Sequence, residues 1–384
     1  MRLIDEWGAG EASELLRAAE QRRAAGLPVD DLVTANPHEH GIVFPPAVLE
    51  DALRHGLRAT ATYRPDARGN ALAREAVARW HGGVTPGEVL LTPGTSLAYW
   101  YCFRLLCEPG DDVLCPAPTY PLFDDLAMLA GARVRHYHMR PGGEGHWGID
   151  VEEVAFQATP RTRVIVVVSP HNPTGSVASA EELRALAVFA RERGIAVVLD
   201  EVFRTVLHGA GSVPRPSAFG APLCVTLNGL SKMASLPGLK AGWMVVEGDE
   251  ERRRSFLAAA EYLSDTFLPV NEAVQGALPL LMEALATEAE RLAALWRARM
   301  QTCVAAWRAA GIETALPEGG VYLPVKLGTE QDAEQAALGL VRDAGVLTHP
   351  GGLYRLDGQW LVTTVANTNA GAIARVGEWL RRRD

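Results

Sequence analysis

Val164-Ile165-Val166-Val167-Val168-Ser169-Pro170-His171-Asn172-Pro173-Thr174-Gly175 is the stretch that decides how this chain is read. Five apolar, β-branched residues without alternation predict a strand covered on both faces, as happens where helices flank a parallel sheet. The two prolines and the glycine that follow predict a sharp loop leaving the strand's carboxyl end. In open α/β sheets such loops gather the ligand-binding residues. Asn172 adds an amide that can donate a hydrogen bond to a ring hydroxyl or phenolate.

Outward from this stretch, short apolar runs recur at residues 88–91, 112–115, 132–137, 195–199, 223–227 and 242–246, with helical patterns such as 180–193 between them. The alternation predicts an α/β fold with a large domain built on a mostly parallel seven-stranded sheet flanked by helices. Past residue 249 the texture changes to long helices, 249–262 and roughly 271–310. Residues 319–325, a helix over 331–344 and a strand over 359–365 then predict a smaller α/β unit. The first 45 residues, with a helix near 11–25, are expected to pack on that unit. The expected organisation is an N-terminal segment 1–45, a large domain 46–270 and a small domain 271–384, the small α/β domain being made from both chain ends.

Of 384 residues, 48% are hydrophobic and 22% charged, which fits a globular chain with one large and one smaller domain. A formal net charge of −9 argues against a nucleic-acid surface, and basic clusters such as Arg252-Arg253-Arg254 and Arg381-Arg382-Arg383 are short. Asp5 and Glu6 stand where a targeting signal would be basic and then apolar, and no apolar run is long enough to span a bilayer. A cytoplasmic protein is expected, without membrane or nucleic-acid partners. The five cysteines lack paired spacing and the histidines lack helical metal spacing, so no metal site is expected.

Only three lysines occur, Lys232, Lys240 and Lys326, against an otherwise arginine-based cationic complement. A desolvated lysine can lose its proton and attack an aldehyde, which a guanidinium does not readily do. Lys232, in Gly229-Leu230-Ser231-Lys232, is therefore a candidate covalent anchor for a cofactor. Thr92-Pro93-Gly94-Thr95-Ser96 follows a predicted strand and opens a helix, whose N-terminal N–H groups and hydroxyls can hold a phosphate or simply cap the helix. Asp200 ends the run 195–199, where a buried carboxylate requires a partner.

Taken in order, Tyr63…Gly69, Gly94-Thr95, Pro118-Thr119-Tyr120, Asn172-Pro173-Thr174-Gly175, Asp200 and Ser231-Lys232…Lys240 resemble the class I/II aminotransferase family of fold type I pyridoxal-phosphate enzymes. The resemblance covers nearly the whole chain. It implies pyridoxal 5′-phosphate as cofactor, with Lys232 forming the internal aldimine and then acting as the base at the substrate Cα. Asp200 would pair with the pyridinium nitrogen, Asn172 with the ring O3′, and Tyr120 would stack on the ring. Gly94, Thr95, Ser96, Ser231 and Lys240 would hold the phosphate, Lys240 replacing an arginine usual in relatives. Tyr63 would reach the phosphate of a neighbouring subunit, implying a homodimer with shared sites.

Three departures stand out. Phe203 replaces a tyrosine whose hydroxyl contacts O3′, and Gly229 replaces a serine. Val362 falls where relatives carry the arginine that grips the substrate carboxylate; Arg355 is the nearest cation. Asn36 and His38, in the segment that closes over substrate in relatives, are further candidates for substrate contact. The implied activity is transfer of an amino group between an amino acid and a 2-oxo acid. Carbon–sulfur β-elimination on the same apparatus is the alternative, and a non-catalytic cofactor-binding protein a third. A dinucleotide site is disfavoured, since no Gly-x-Gly-x-x-Gly joins the first strand to a helix.

Overall fold

A computed structural model of the chain describes residues 13–209, 211–328 and 332–383. Asp5, Glu6 and the helix starts expected near Glu11 and Gln331 lie outside the described residues. The described chain forms two compact units. The larger comprises Asn36–Ala298 and Pro317–Val321, and the smaller comprises the described residues up to Ala35, Arg299–Leu316 and those from Tyr322 onward.

The larger unit is built on seven strands: β1 (Val89–Thr92), β2 (Asp112–Ala117), β3 (Arg133–His138), β4 (Thr162–Val168), β5 (Ala196–Asp200), β6 (Leu223–Gly229) and β7 (Gly242–Gly248). They lie in the order β1-β7-β6-β5-β4-β2-β3. All neighbours are parallel except β7, which runs antiparallel to both β1 and β6. The mostly parallel seven-stranded sheet expected from the apolar runs is thus present.

Strand β4 shows why those runs do not alternate. Val164, Val166 and Val168 pack with Tyr101, Phe103, Phe123 and Leu257 on one face of the sheet. Ile165 and Val167 pack with Leu183, Leu186 and Phe189 on the other. Side chains alternate across a strand, so a sheet sandwiched between helices demands apolar residues at every position. Burying each of these aliphatic side chains contributes about 1.5–3 kcal/mol. The helix Ala180–Arg193 has the limits read from its sequence because its ends are chemically marked. Ser179 Oγ accepts from Glu182 N–H while the Glu182 carboxylate accepts from Ser179 N–H, and Gly194 closes the helix in the left-handed region.

In the smaller unit Trp360–Thr364 is the central strand, paired antiparallel with Tyr322–Lys326 and His349–Pro350. Asp30–Asp31 pairs in parallel with Val346–Leu347, which ties the N-terminal segment to the C-terminal one. Arg375 forms an ion pair with Asp30 across the same join. Among the described residues no helix is long and apolar enough to cross a membrane.

Candidate active site

Sheet register brings the chemically interesting residues of the larger unit to one edge. Gly242 in β7 faces Thr92 of β1 on one side and Gly229 of β6 on the other, so the turns carrying Gly94 and Lys232 emerge together. Asp200 of β5 is in register with Leu227 of β6 and with Val168 of β4. Ser169 N–H donates to the Asp200 carbonyl at 2.9 Å, so the loop holding Asn172 leaves β4 beside Asp200. These are the carboxyl ends of the parallel strands, where the dense core stops and polar groups can converge.

Asp200 is buried, and both its carboxylate oxygens are engaged: Oδ1 accepts from Val202 N–H at 2.9 Å and Oδ2 from the Tyr99 hydroxyl at 3.0 Å. Burial raises its carboxyl from 3.8 to about 6, aided by the neighbouring Glu201 charge and opposed by the two hydrogen bonds and Lys232. Lys232 lies on the short helix Leu230–Met233 directly after β6. Burial pulls its ammonium below the ordinary lysine value and Asp200 works against that pull. Its Nζ is 5.9 Å from the centroid of the buried Phe203 ring. A partly desolvated amine beside one carboxylate is what a nucleophilic lysine needs.

Gly94 sits at φ 137°, a conformation costly for other residues, and opens the helix Thr95–Leu106. A Cβ on the facing Gly242 would lie 3.0 Å from Gly94 Cα, so glycine here lets the turn lie flat on β7. The helix points its first N–H groups, beside the partly exposed Thr95 and exposed Ser96, out of the sheet edge. Tyr120 is partly buried after β2 and packs edge-on to Phe123, with ring centroids 5.9 Å apart. Burial and the Asp200 charge both raise its phenol above the ordinary value. Asn172 is buried, and its Oδ1 has no hydrogen-bond partner; Thr119 Oγ1 is orphaned in the same way. Unsatisfied buried polar atoms are costly, which marks both as aimed at something other than protein.

Other sequence candidates occupy distinct places. Ser231 is partly exposed on the Lys232 helix, and Lys240 is exposed in a left-handed turn at φ 50°. Tyr63 is 69% exposed. The Asn36 amide is taken by Glu39 Oε1 at 2.7 Å, and His38 Nε2 donates to the Ser235 carbonyl at 2.5 Å, three residues past Lys232. In the smaller unit, Val362 is buried in the central strand between Pro324 and His349, and Arg355 is exposed in a left-handed turn. Arg204 pairs with Glu201 at 2.9 Å and donates to the Val213 carbonyl at 2.8 Å.

Two contributors escaped sequence reasoning. Tyr99 lies one helical turn after Thr95, and that i+4 spacing from the phosphate-type turn is the signal that points to it. The segment Pro317–Val321, legible only as the lead-in to a strand, packs on the Asn172 loop. Gly319 N–H donates to the Gly175 carbonyl at 2.8 Å, and a Cβ on Gly175, at φ 72°, would come within 2.5 Å of Gly319 O.

The sequence pattern described as Aminotransferase class I and II matches residues 33–379. The chain belongs to that family. Glutamate-pyruvate aminotransferase AlaA of Haemophilus influenzae is 30% identical over 276 residues, 69% of this chain and 66% of its own length. An alanine aminotransferase of Mycobacterium bovis is 29% identical over 382 residues, 94% of this chain and 88% of its own. S-alkyl-thiohydroximate lyase SUR1 of Arabidopsis thaliana is 33% identical over 245 residues, 61% of this chain and 52% of its own. The structure of a double mutant of Thermus thermophilus aspartate aminotransferase superposes with a TM-score of 0.85 at 26% identity, covering 99% of this chain and 100% of that one. The fold is therefore fold type I, and the protein is a pyridoxal-phosphate-dependent aminotransferase acting on amino and 2-oxo acids, as the motif resemblance implied.

The residues present fit that cofactor. The amide of the buried Asn172, an orphaned hydroxyl at Thr119, a buried carboxylate at Asp200 and a glycine turn at a helix N-terminus are complementary to a ring nitrogen, ring substituents and a phosphate.

Holding Asp200 buried costs stability in the cofactor-free protein. Because its folded value is raised, the folded state binds more protons than the unfolded one between pH 3.8 and about 6. The favourable contribution is complete at low pH and lost as pH rises through 6, a loss of about 3 kcal/mol for that gap. Cofactor-free Asp200→Asn is therefore expected to exceed the wild type in urea stability by up to about 3 kcal/mol above pH 6, the advantage shrinking as the pH falls from about 6 to about 4. Parallel pH–stability curves for the two proteins would contradict the assignment.

Proposed function

We propose that Lys232 is the amine that bonds the cofactor's aldehyde carbon and the base that moves the proton at the substrate Cα. Its position supports this: a partly desolvated lysine at the end of β6, in electrostatic contact with Asp200. Bound pyridoxal phosphate supplies a protonated ring that takes up the electrons left when that proton departs. Asp200 would accept from the protonated ring nitrogen, Asn172 would donate to the ring oxygen, and Tyr120 would stack on the ring. Gly94, Thr95, Ser96 and Ser231 bind phosphate, with Lys240 adding charge from the following turn. Phe203 offers the ring oxygen no hydroxyl, so Asn172 carries that contact without the tyrosine found in relatives.

The amino group leaves one amino acid, which departs as its 2-oxo acid, and passes to a second 2-oxo acid. Alanine and glutamate as donors, with pyruvate and 2-oxoglutarate as acceptors, are the substrates proposed by analogy with the bacterial relatives. The buried Val362 offers no cation for a carboxylate, so His38 and Asn36 of the larger unit are the residues proposed to meet one, with Arg355 of the smaller unit as the alternative. That same valine, together with likeness to the plant lyase, favours β-elimination as the second reading.

Assay of a panel of amino acids with and without 2-oxo acid separates the two. Transfer that requires the acceptor, and that falls by at least about 10²–10⁴-fold in Lys232→Ala, is expected. Release of ammonia and a 2-oxo acid without acceptor would overturn transamination in favour of elimination.

We further propose a homodimer sharing its sites, working in the cytoplasm, where the five buried cysteines stay reduced. Tyr63 lines a surface pocket of about 250 Å³ with Pro65, Leu268 and Val270, and Leu57, Leu72, Tyr262 and Phe267 are also exposed. So much exposed apolar surface is characteristic of a covered face. Sedimentation equilibrium should give twice the 41.3 kDa chain mass, whereas a monomer at micromolar concentration would contradict it.

A further inference from the structure

Tyr99 belongs to none of the motifs through which the chain resembles its family. It lies on the helix Thr95–Leu106, buried against Phe103 and Phe123 with ring centroids 5.8 and 5.1 Å away. A leucine or phenylalanine would fill such an apolar place as well, and burying a phenol there is unfavourable unless its hydroxyl has a partner. The partner is Asp200 Oδ2, at 3.0 Å.

The direction of that bond carries the argument. Burial and the Asp200 charge push the Tyr99 phenol well above its ordinary value, so the hydroxyl keeps its proton. It therefore donates, and the oxygen facing it accepts. Val202 N–H donates to the other oxygen at 2.9 Å. An ionised carboxylate has about four acceptor positions, so two remain for a further donor. The other groups acting on this pair are Lys232, which attracts the Asp200 charge, Glu201, which repels it, Tyr120, and the thiols of Cys102 and Cys115 near the phenol. Tyr99 is the side-chain hydrogen-bond donor that holds the carboxylate in place from beneath the site.

We propose that Tyr99 is a positioning residue that keeps Asp200 ionised and aimed at the ring nitrogen of the bound cofactor. The inference rests on the reading that Asp200 meets that nitrogen. Tyr99 touches neither substrate nor cofactor. Its effect passes through a single hydrogen bond, which Tyr99→Phe removes while keeping the ring's packing.

The test measures binding of two probes to the cofactor-free protein by quenching of tryptophan fluorescence at pH 7. One probe is pyridoxal phosphate; the other is its analogue with the ring nitrogen replaced by C–H. Tyr99→Phe is expected to weaken pyridoxal phosphate about tenfold, the size of a hydrogen bond to a charged group, and to leave the analogue within about twofold. In an Asp200→Asn background the same substitution is expected to change neither affinity by more than about twofold. Equal losses for both probes would show a packing role and overturn the proposal, as would no loss for either. A wild-type protein that binds the two probes equally contradicts the Asp200 reading itself. Wild-type discrimination retained in full by Tyr99→Phe contradicts only the role of Tyr99. Should Tyr99→Phe fail to fold, Tyr99→Leu against Phe103→Leu gives the same comparison: selective loss of pyridoxal phosphate in the first alone supports the proposal, and matching losses overturn it.

Discussion

The Asp200 carboxylate is held where charge is costly, at the end of a buried strand, and much of the site is arranged around keeping it there. Desolvation and the adjacent Glu201 favour the neutral acid, whereas Val202 N–H, the Tyr99 hydroxyl and Lys232 favour the anion. The balance leaves the carboxyl at about 6, ionised at pH 7 but costly to hold, and on the proposed reading a cationic ring nitrogen would stabilise the anion further. The same balance explains Lys232. Burial pulls its amine toward the neutral form, while the Asp200 charge favours the ammonium. On the proposed reading, cofactor binding relieves that cost, which the free protein carries as the cost of a site prepared in advance.

That arrangement depends on the sheet. Asp200, the Asn172 loop, the Lys232 helix and the Gly94 turn belong to four separate stretches of chain, brought together because Val168 pairs with Asp200 and Asp200 with Leu227, while two residues on Gly229 pairs with Gly242 and Gly242 with Thr92. Apolar residues on both faces of β4 make that register hard to slip, since any shift would exchange its packing against two different helix layers. Next to Asp200, the buried Glu201 carboxylate is compensated by Arg204 and Arg215, at 2.9 and 3.5 Å. A buried acid beside Asp200 left without those guanidiniums would raise the Asp200 carboxyl further.

What could be read from sequence, and what could not, follows from how local each cause is. The strands of the large sheet were legible because burial on both faces leaves a continuous apolar run, and the helix Ala180–Arg193 because Ser179, Glu182 and Gly194 mark its ends chemically. The strand-end positions of Lys232, Asp200 and Asn172 were legible because each follows such a run. The antiparallel direction of β7 was not, since an apolar run carries no sign of its direction. Nor was Tyr99, whose partner is 101 residues away and whose neighbours read as ordinary helix core. The direction of the Arg204 side chain is set by its contact with Glu201, which no local pattern around residue 204 marks. The engagement of the Asn36 amide by Glu39 is local, but competing turn geometries make it unreadable without coordinates.

The most direct test of the account is the protonation state of the cofactor's ring nitrogen in the assembled protein, because every role assigned around Asp200 leads to that atom. Loading the protein with pyridoxal phosphate labelled with ¹⁵N in the ring and recording the nitrogen chemical shift between pH 6.5 and 9 reads it without reference to turnover. A shift in the pyridinium range, constant across that interval, is predicted. A shift in the range of neutral pyridine at pH 7.5 would contradict it.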